Sequence, residues 1–303
     1  MNLIAILQLL RLPNVFTAVA DVAMGFLVTH GDLQPIGLFA LLVAASCQLY
    51  LAGMVLNDVF DAQVDAIERP DRPIPSGRVS LRQATALGWG LLVSGSLCGW
   101  LASFVAGDWR PGAIATLLAA CVVLYDRTLK RTPLAPLFMG ACRTLNVLLG
   151  MSLAAGSWVP AEWAIAIGIG VYIVGVTIFA RTEARASSRS RLLTGTIVLL
   201  AGMALVASVP RWLRLEDDLG LYIPTRNWYL FWAVVAAMIA WRCVAAVVQP
   251  TPRNVQTAVR NAVQSIIVLD AAVCFGLAGP VWGIAVLLLL IPTAVLTQWL
   301  QAT

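Results

Sequence analysis

Charge is what this chain most lacks. Only 12% of its 303 residues are charged while 60% are hydrophobic. A soluble domain carries roughly 25% charged residues and about 45–50% apolar ones, so a water-soluble globule is excluded. Histidine is nearly absent, with His30 alone, and the six cysteines (Cys47, Cys98, Cys121, Cys142, Cys243, Cys274) stand singly inside apolar runs. With no C-x-x-C pair there is neither a disulfide framework nor a zinc site to build; any metal here takes oxygen ligands. Period-2 alternation is missing, which excludes a transmembrane barrel. The start, M-N-L-I-A-I-L-Q-L-L-R-L-P, has no basic n-region and no small-residue cleavage site, so it is read as a short interfacial helix broken before Pro13 rather than a leader.

What is present is a succession of apolar runs of about 20 residues, the length that carries a helix across ~30 Å of hydrocarbon. In lipid the backbone must satisfy itself, so these runs are helices. Spans are expected near 14–28, 36–57, 83–106, 112–126, 134–155, 162–180, 192–209, 228–248, 257–277 and 281–299. The fold class is therefore all-α: one domain over 1–303, a polytopic transmembrane bundle of nine or ten helices around a central cavity. The doubtful count rests on 257–277, which carries Arg260, Asn261, Gln264 and Asp270. Such amphipathicity suits a helix that lines a cavity.

Basic residues set the orientation. Most of the twenty fall in connections on one side: Arg69, Arg72, Arg78 and Arg82, then Arg127, Lys130 and Arg131, then Arg181, Arg185, Arg189 and Arg191. The positive-inside rule puts these loops and the N-terminus in the cytoplasm, and the expected location is a bacterial inner membrane. The opposite face, with Trp212, Glu216, Asp217, Asp218 and Trp228, reads as interfacial anchoring.

The second span runs into Asn57-Asp58-Val59-Phe60-Asp61-Ala62-Gln63-Val64-Asp65, followed by Arg69-Pro70-Asp71-Arg72-Pro73-Ile74-Pro75-Ser76-Gly77. If the helix continues, Asp58, Asp61 and Asp65 project from one face. Three like charges on one stripe repel, and Mg²⁺ relieves that by taking carboxylates, waters and phosphate oxygens together. Asn57 can orient a carboxylate or donate to a phosphate. The prolines stiffen the segment that presents Arg69 and Arg72, and arginine suits bidentate phosphate contacts.

N-D-x-x-D-x-x-x-D with R-P-x-R-P-I-P-S-G resembles the UbiA superfamily of intramembrane prenyltransferases. The resemblance covers roughly residues 11–200. It implies a bundle of nine helices with a lateral opening to lipid. It also implies a Mg²⁺-bound prenyl diphosphate as donor, a lipophilic acceptor, and no nucleic acid partner. By the same resemblance Tyr125 and Lys130 belong to a Tyr…Lys motif, the lysine on the diphosphate and the tyrosine at the reaction centre. Catalysis is thus expected from Asp58, Asp61, Asp65, Tyr125 and Lys130, with the three aspartates as metal ligands. Tyr125 and Phe60 are candidates to face an allylic cation.

Asn14, Asn57, Arg69, Arg72 and Lys130 are counted as substrate-binding. So are Arg143 and Asn146, which share one face of a span. An arginine at that depth costs ~2.5–3.5 kcal/mol on insertion scales and needs a partner: Asp21, Asp270 or a bound acidic acceptor. The family's second acidic motif is thin here. In Arg181-Thr182-Glu183-Ala184-Arg185 only Glu183 is acidic, and Arg181 and Arg185 can replace a second metal ion on the diphosphate. This variant, with C-R-x-x-N and A-R-x-E-A, is similar to the divergent EboC-type branch. It also motivates a rival reading, a non-catalytic isoprenoid or lipid carrier. Gly25, Gly53 and Gly150 hint at cavity depth and hence donor length.

Overall fold

The computed structural model describes residues 3–181, 188–213 and 220–302. Glu183 and Arg185 lie outside these residues. The short opening helix α1 (Leu3–Leu9) precedes a 3₁₀ turn at Leu12–Asn14, and then α2 (Val15–His30) and α3 (Ile36–Phe60) form a pair. A second short helix, α4 (Ala62–Glu68), follows α3 almost in line, and the proline-rich loop leads to α5 (Leu81–Ala106). Next come α6 (Arg110–Arg127), α7 (Ala135–Gly150), α8 (Pro160–Ala180) and α9 (Arg189–Ala207). The chain closes with α10 (Thr225–Val248), α11 (Pro252–Leu277), and α12 (Pro280–Leu287) continued by α13 (Leu290–Ala302). Every regular element among the described residues is helical.

Eight segments are long and apolar enough to cross a membrane, counting α12 and α13 as one. The other two, α6 and α7, have 18 and 16 residues, about 27 and 24 Å at 1.5 Å per residue. Among the described residues this is an integral membrane bundle with eight such segments, α6 and α7 packed among them. Helix α13 packs against α1 and the turn after it.

Local signals set the helix ends. Ser80 and Gln83 form a reciprocal capping box for α5, and Thr251 caps α11 through the Asn254 amide with Pro252 at the first turn. Gly31 and Gly107 end α2 and α5 at φ 76° and 69°, a left-handed conformation that costs glycine little.

Packing then brings distant residues together. Helices α2 and α7 cross so closely that a Cβ on Gly25 would lie 2.6 Å from the Val147 carbonyl oxygen. Small residues allow such approach where no water drives association. Of the three glycines expected to mark cavity depth, Gly53 does line the cavity. Gly25 and Gly150 instead serve this crossing. Tyr172 of α8 donates to the Ala262 carbonyl of α11 at 2.7 Å, closing the bundle on the far side.

Candidate functional site

A cavity of about 500 Å³ opens inside the bundle, walled by α3, α6, α7, α8 and α11 and by the turn before α2. Its polar groups gather at two poles. At the mouth, Asn57 lines the wall where α3 ends. The helix does not run straight on through the acidic motif. Asp61 sits at φ −93°, ψ 0° between α3 and α4, although the Asp61 amide still bonds the Asn57 carbonyl and Asp65 the Asp61 carbonyl. The kink splits the expected stripe of three. Asp58 and Asp65 turn to one cation and Asp61 to another pair. Among the described residues no three acidic, histidine or cysteine side chains converge on one point.

The cations account for that split. Arg72 bridges the two buried carboxylates, its Nη1 lying 3.2 Å from Asp58 Oδ1 and 2.6 Å from Asp65 Oδ2. Arg11 adds a 2.7 Å contact to the same oxygen of Asp58. On the other side of the kink, Lys130 Nζ is 2.7 Å from Asp61 Oδ2 and Arg131 Nη2 is 3.2 Å from Asp61 Oδ1. Arg78 pins the proline-rich loop by donating to Gln8 and to the Asp71 carbonyl, which holds Arg72 inward. Arg69 is exposed and does not line the cavity.

Tyr125 and Asp126, at the end of α6, face the same mouth. Asn57 donates to Asp126 Oδ1 at 2.9 Å, tying α3 to α6. Asn14 lines the cavity from the turn before α2. Phe60 packs against the core and is not among the lining residues, so of the two aromatic candidates only Tyr125 faces the space.

The second pole lies deeper. Arg143 of α7 donates to Asp21 Oδ2 at 2.5 Å and to Thr17 at 2.9 Å. Asn146 donates to Asp21 Oδ2 and the Ala18 carbonyl while accepting from Ser46 at 2.6 Å. Of the partners expected for Arg143, Asp21 makes the ion pair; Asp270 is fully buried close by. Helix α11 reaches the cavity as expected, but through Val259, Val263 and Ile266 rather than through its polar residues.

Sequence reasoning missed Arg11, Tyr50 and Asp126 as site residues. Arg11 carried one signal, its place just after a short interfacial helix and two residues before a proline, but its partner is 47 positions away. Tyr50 lies on the α3 face shared with Ser46, Gly53 and Asn57, a spacing that could have found it. Arg181 donates to the Thr132 carbonyl at 2.5 Å and lines a separate pocket beside the mouth, near enough for its charge to act on Tyr125.

The sequence pattern of the UbiA prenyltransferase family matches residues 18–261. The chain is 34% identical over 161 residues to a digeranylgeranylglyceryl phosphate synthase of Metallosphaera sedula, a match covering 52% of this chain and 54% of that protein. The chain thus spans about half the length of the curated relatives it matches. A UbiA homologue of Aeropyrum pernix K1 superposes with a TM-score of 0.63 at 18% identity, over 85% of this chain and 96% of that one. A UbiA homologue of Archaeoglobus fulgidus bound to DMAPP and Mg²⁺ gives 0.59 at 14% identity, over 93% and 98%. At these identities the two structures show a shared fold.

Proposed function

Because the chain belongs to the UbiA prenyltransferase family, we propose that it moves a prenyl group from an isoprenyl diphosphate to a lipophilic acceptor within the membrane. One observation carries the reading. Three carboxylates and the four cations paired with them stand at the mouth of a largely apolar cavity. A diphosphate linked to a hydrocarbon tail has the complementary shape and charge.

The residues fit a magnesium-bound diphosphate. Arg72 Nη1 already sits as a bridging cation between Asp58 and Asp65, so that pair is built to hold positive charge. The donor set is oxygen only, as Mg²⁺ requires. Asp58 and Asp65, with Asp61 across the kink, are the residues that would hold it. When bound it would neutralise diphosphate oxygens and make the group a better leaving group. The Archaeoglobus homologue, bound to DMAPP and Mg²⁺, supports both the donor class and the ion.

Arg11, Arg72 and Lys130 are half-exposed or less and lie on carboxylates; released from them, they turn to phosphate oxygens. As the carbon–oxygen bond stretches, negative charge grows on the diphosphate, and these cations stabilise it most in the transition state. Asn57 is positioned by Asp126 to donate alongside them. The allylic fragment remains in the cavity, where Tyr125 offers a π face and the apolar walls of α3, α6, α7 and α8 exclude water. In this reading the basic end of the bundle faces the cytoplasm, which the excess of loop arginine and lysine supports. The name of the Metallosphaera relative makes a glyceryl phosphate lipid the first acceptor to try.

The test is binding and turnover of radiolabelled prenyl diphosphates by the purified protein, with Mg²⁺ or with EDTA, beside Asp58→Ala and Asp61→Ala. Binding that needs Mg²⁺, fails in both variants and leads to a prenylated acceptor is the expected result. Binding without transfer to any of a panel of acceptors would favour the carrier reading. No Mg²⁺-dependent binding would overturn the donor site.

A further inference from the structure

The basic end of the bundle holds a second cavity, of about 630 Å³, that shares no lining residue with the central one. It lies where α7 begins, α8 ends and α9 begins. Arg131, Arg181 and Arg191 line it together with Pro136, Leu137 and Val174. Three guanidiniums, one from the α6–α7 connection and two flanking the α8–α9 connection, therefore converge on one hollow with an apolar back wall.

Their partners leave much of that charge available. Arg181 is held by the neutral Thr132 carbonyl, and Arg131 reaches Asp61 at 3.2 Å while two-thirds of its side chain stays exposed. Among the described residues neither Arg181 nor Arg191 has an acidic partner within ion-pair distance. Basic loops at one face of a membrane protein need no ligand, but such residues are ordinarily dispersed in solvent. Here they meet above an apolar wall whose Leu137 is 57% exposed.

We propose that this hollow binds the headgroup of an anionic phospholipid, its phosphate on the three guanidiniums and the start of an acyl chain along Leu137 and Val174. Guanidinium suits phosphate through paired N–H donors. Basic pockets between helices at the interface hold anionic lipid headgroups in the same way. The apolar wall selects a lipid phosphate over a free one, because a free anion gains nothing from Leu137 and Val174. The hollow shares Arg131 with the mouth through Asp61, so the test reads lipid binding alone and alters only Arg181 and Arg191.

The full-length protein, purified in non-ionic detergent, is titrated with phosphatidylglycerol or phosphatidylcholine and read by native mass spectrometry. The expected result is one retained phosphatidylglycerol, with occupancy about tenfold above phosphatidylcholine and unchanged by millimolar inorganic phosphate. Arg181→Gln with Arg191→Gln abolishes the preference. Arg82→Gln with Arg253→Gln makes the same charge change at exposed arginines elsewhere and keeps it. Three results would each overturn the proposal: equal retention of the two lipids, equal loss in both double variants, or displacement of the lipid by inorganic phosphate. The thermal unfolding midpoint in the same detergent, measured on the same samples, reports whether each variant is folded.

Discussion

The two polar poles of the central cavity use the same chemistry, arginine on aspartate, under opposite conditions. At the mouth the carboxylates of Asp58 and Asp65 are buried, but Arg11 and Arg72 keep 37% and 23% of their side chains exposed. At the deep pole Arg143 is 10% exposed and Asp21 not at all. A partly hydrated cation can leave a buried carboxylate when another cation, such as a bound metal ion, takes its place on the same oxygens. A sealed one cannot, because its departure strands a buried charge. The mouth is therefore arranged to exchange partners with a ligand, and the deep pole to fasten α2 to α7.

Substitutions at each pole can break that contrast. The largest expected effect is at the mouth: Asp58→Asn lowers Mg²⁺-dependent prenyl-diphosphate binding by more than about 100-fold, the scale of losing one group tuned to a developing charge. Its thermal unfolding midpoint in detergent stays within a few degrees of the parent. A variant that loses binding only because it no longer folds would put the mouth in the same class as the deep pole.

Arg143→Ala is expected to do the reverse. Removing one partner of a buried pair costs about 3–5 kcal/mol, read as a large fall in unfolding midpoint and aggregation on size-exclusion chromatography. Asp21→Asn combined with Arg143→Met removes both charges and recovers most of that loss. If the single variant unfolds normally but loses acceptor turnover, Arg143 acts on substrate and the deep pole is functional after all.

These poles differ as much in how they could be read beforehand. Apolar runs gave the spans to within a few residues, because helix length in a membrane is set by bilayer thickness. The aspartates, Lys130 and Arg143 were visible because charge at membrane depth is expensive and its presence asks for a reason. Arg11 and Asp126 were not, since their meaning lies in the partners Asp58 and Asn57, and pairing across three or four helices leaves no local pattern. The kink at Asp61 was hidden for another reason: continuing the helix satisfies the i, i+3, i+7 spacing, and only the cations Lys130 and Arg131 draw Asp61 aside. The choice of Asp21 over Asp270 depends on the glycine crossing of α2 and α7, a packing fact.

Arg11 sharpens the comparison because its backbone is strained as well as its charge being shared. At φ 47°, ψ 45° it is the described non-glycine residue in the left-handed region, which costs a side-chain-bearing residue about 1–2 kcal/mol. Arg11→Gly relieves that strain while removing one partly exposed cation from a carboxylate that Arg72 still holds, so the unfolding midpoint holds or rises slightly. Donor binding falls by about tenfold, one cation among several that face phosphate. A midpoint that drops sharply would show that Arg11 fastens the opening helix to Asp58 as Arg143 fastens α2.

The smallest effect is expected at the far end of the bundle, where a third arginine–aspartate pair calibrates the other two. Arg110 donates to Asp108 from its side chain and backbone and reaches on to the carbonyls of Ala154 and Gly156, joining the α5–α6 and α7–α8 turns. The Arg110 contacts hold the Asp108 carboxyl below its ordinary value of 3.8. A depressed carboxyl contributes stability that is fully present above the unfolded value and lost as pH falls through the folded one. With both side chains roughly a fifth exposed, solvent screening leaves this at a few tenths of a kcal/mol. Asp108→Asn should lower the unfolding midpoint by a degree or so at pH 7, and the difference from the parent should shrink as pH falls below the ordinary carboxylate value of 3.8. Arg110→Ala, which also frees the two carbonyls, should cost more than Asp108→Asn and keep part of its cost at low pH. A pH-independent deficit in Asp108→Asn would mean that this pair acts through geometry alone, as the deep pole does, and that exposure is not what separates the mouth from the floor.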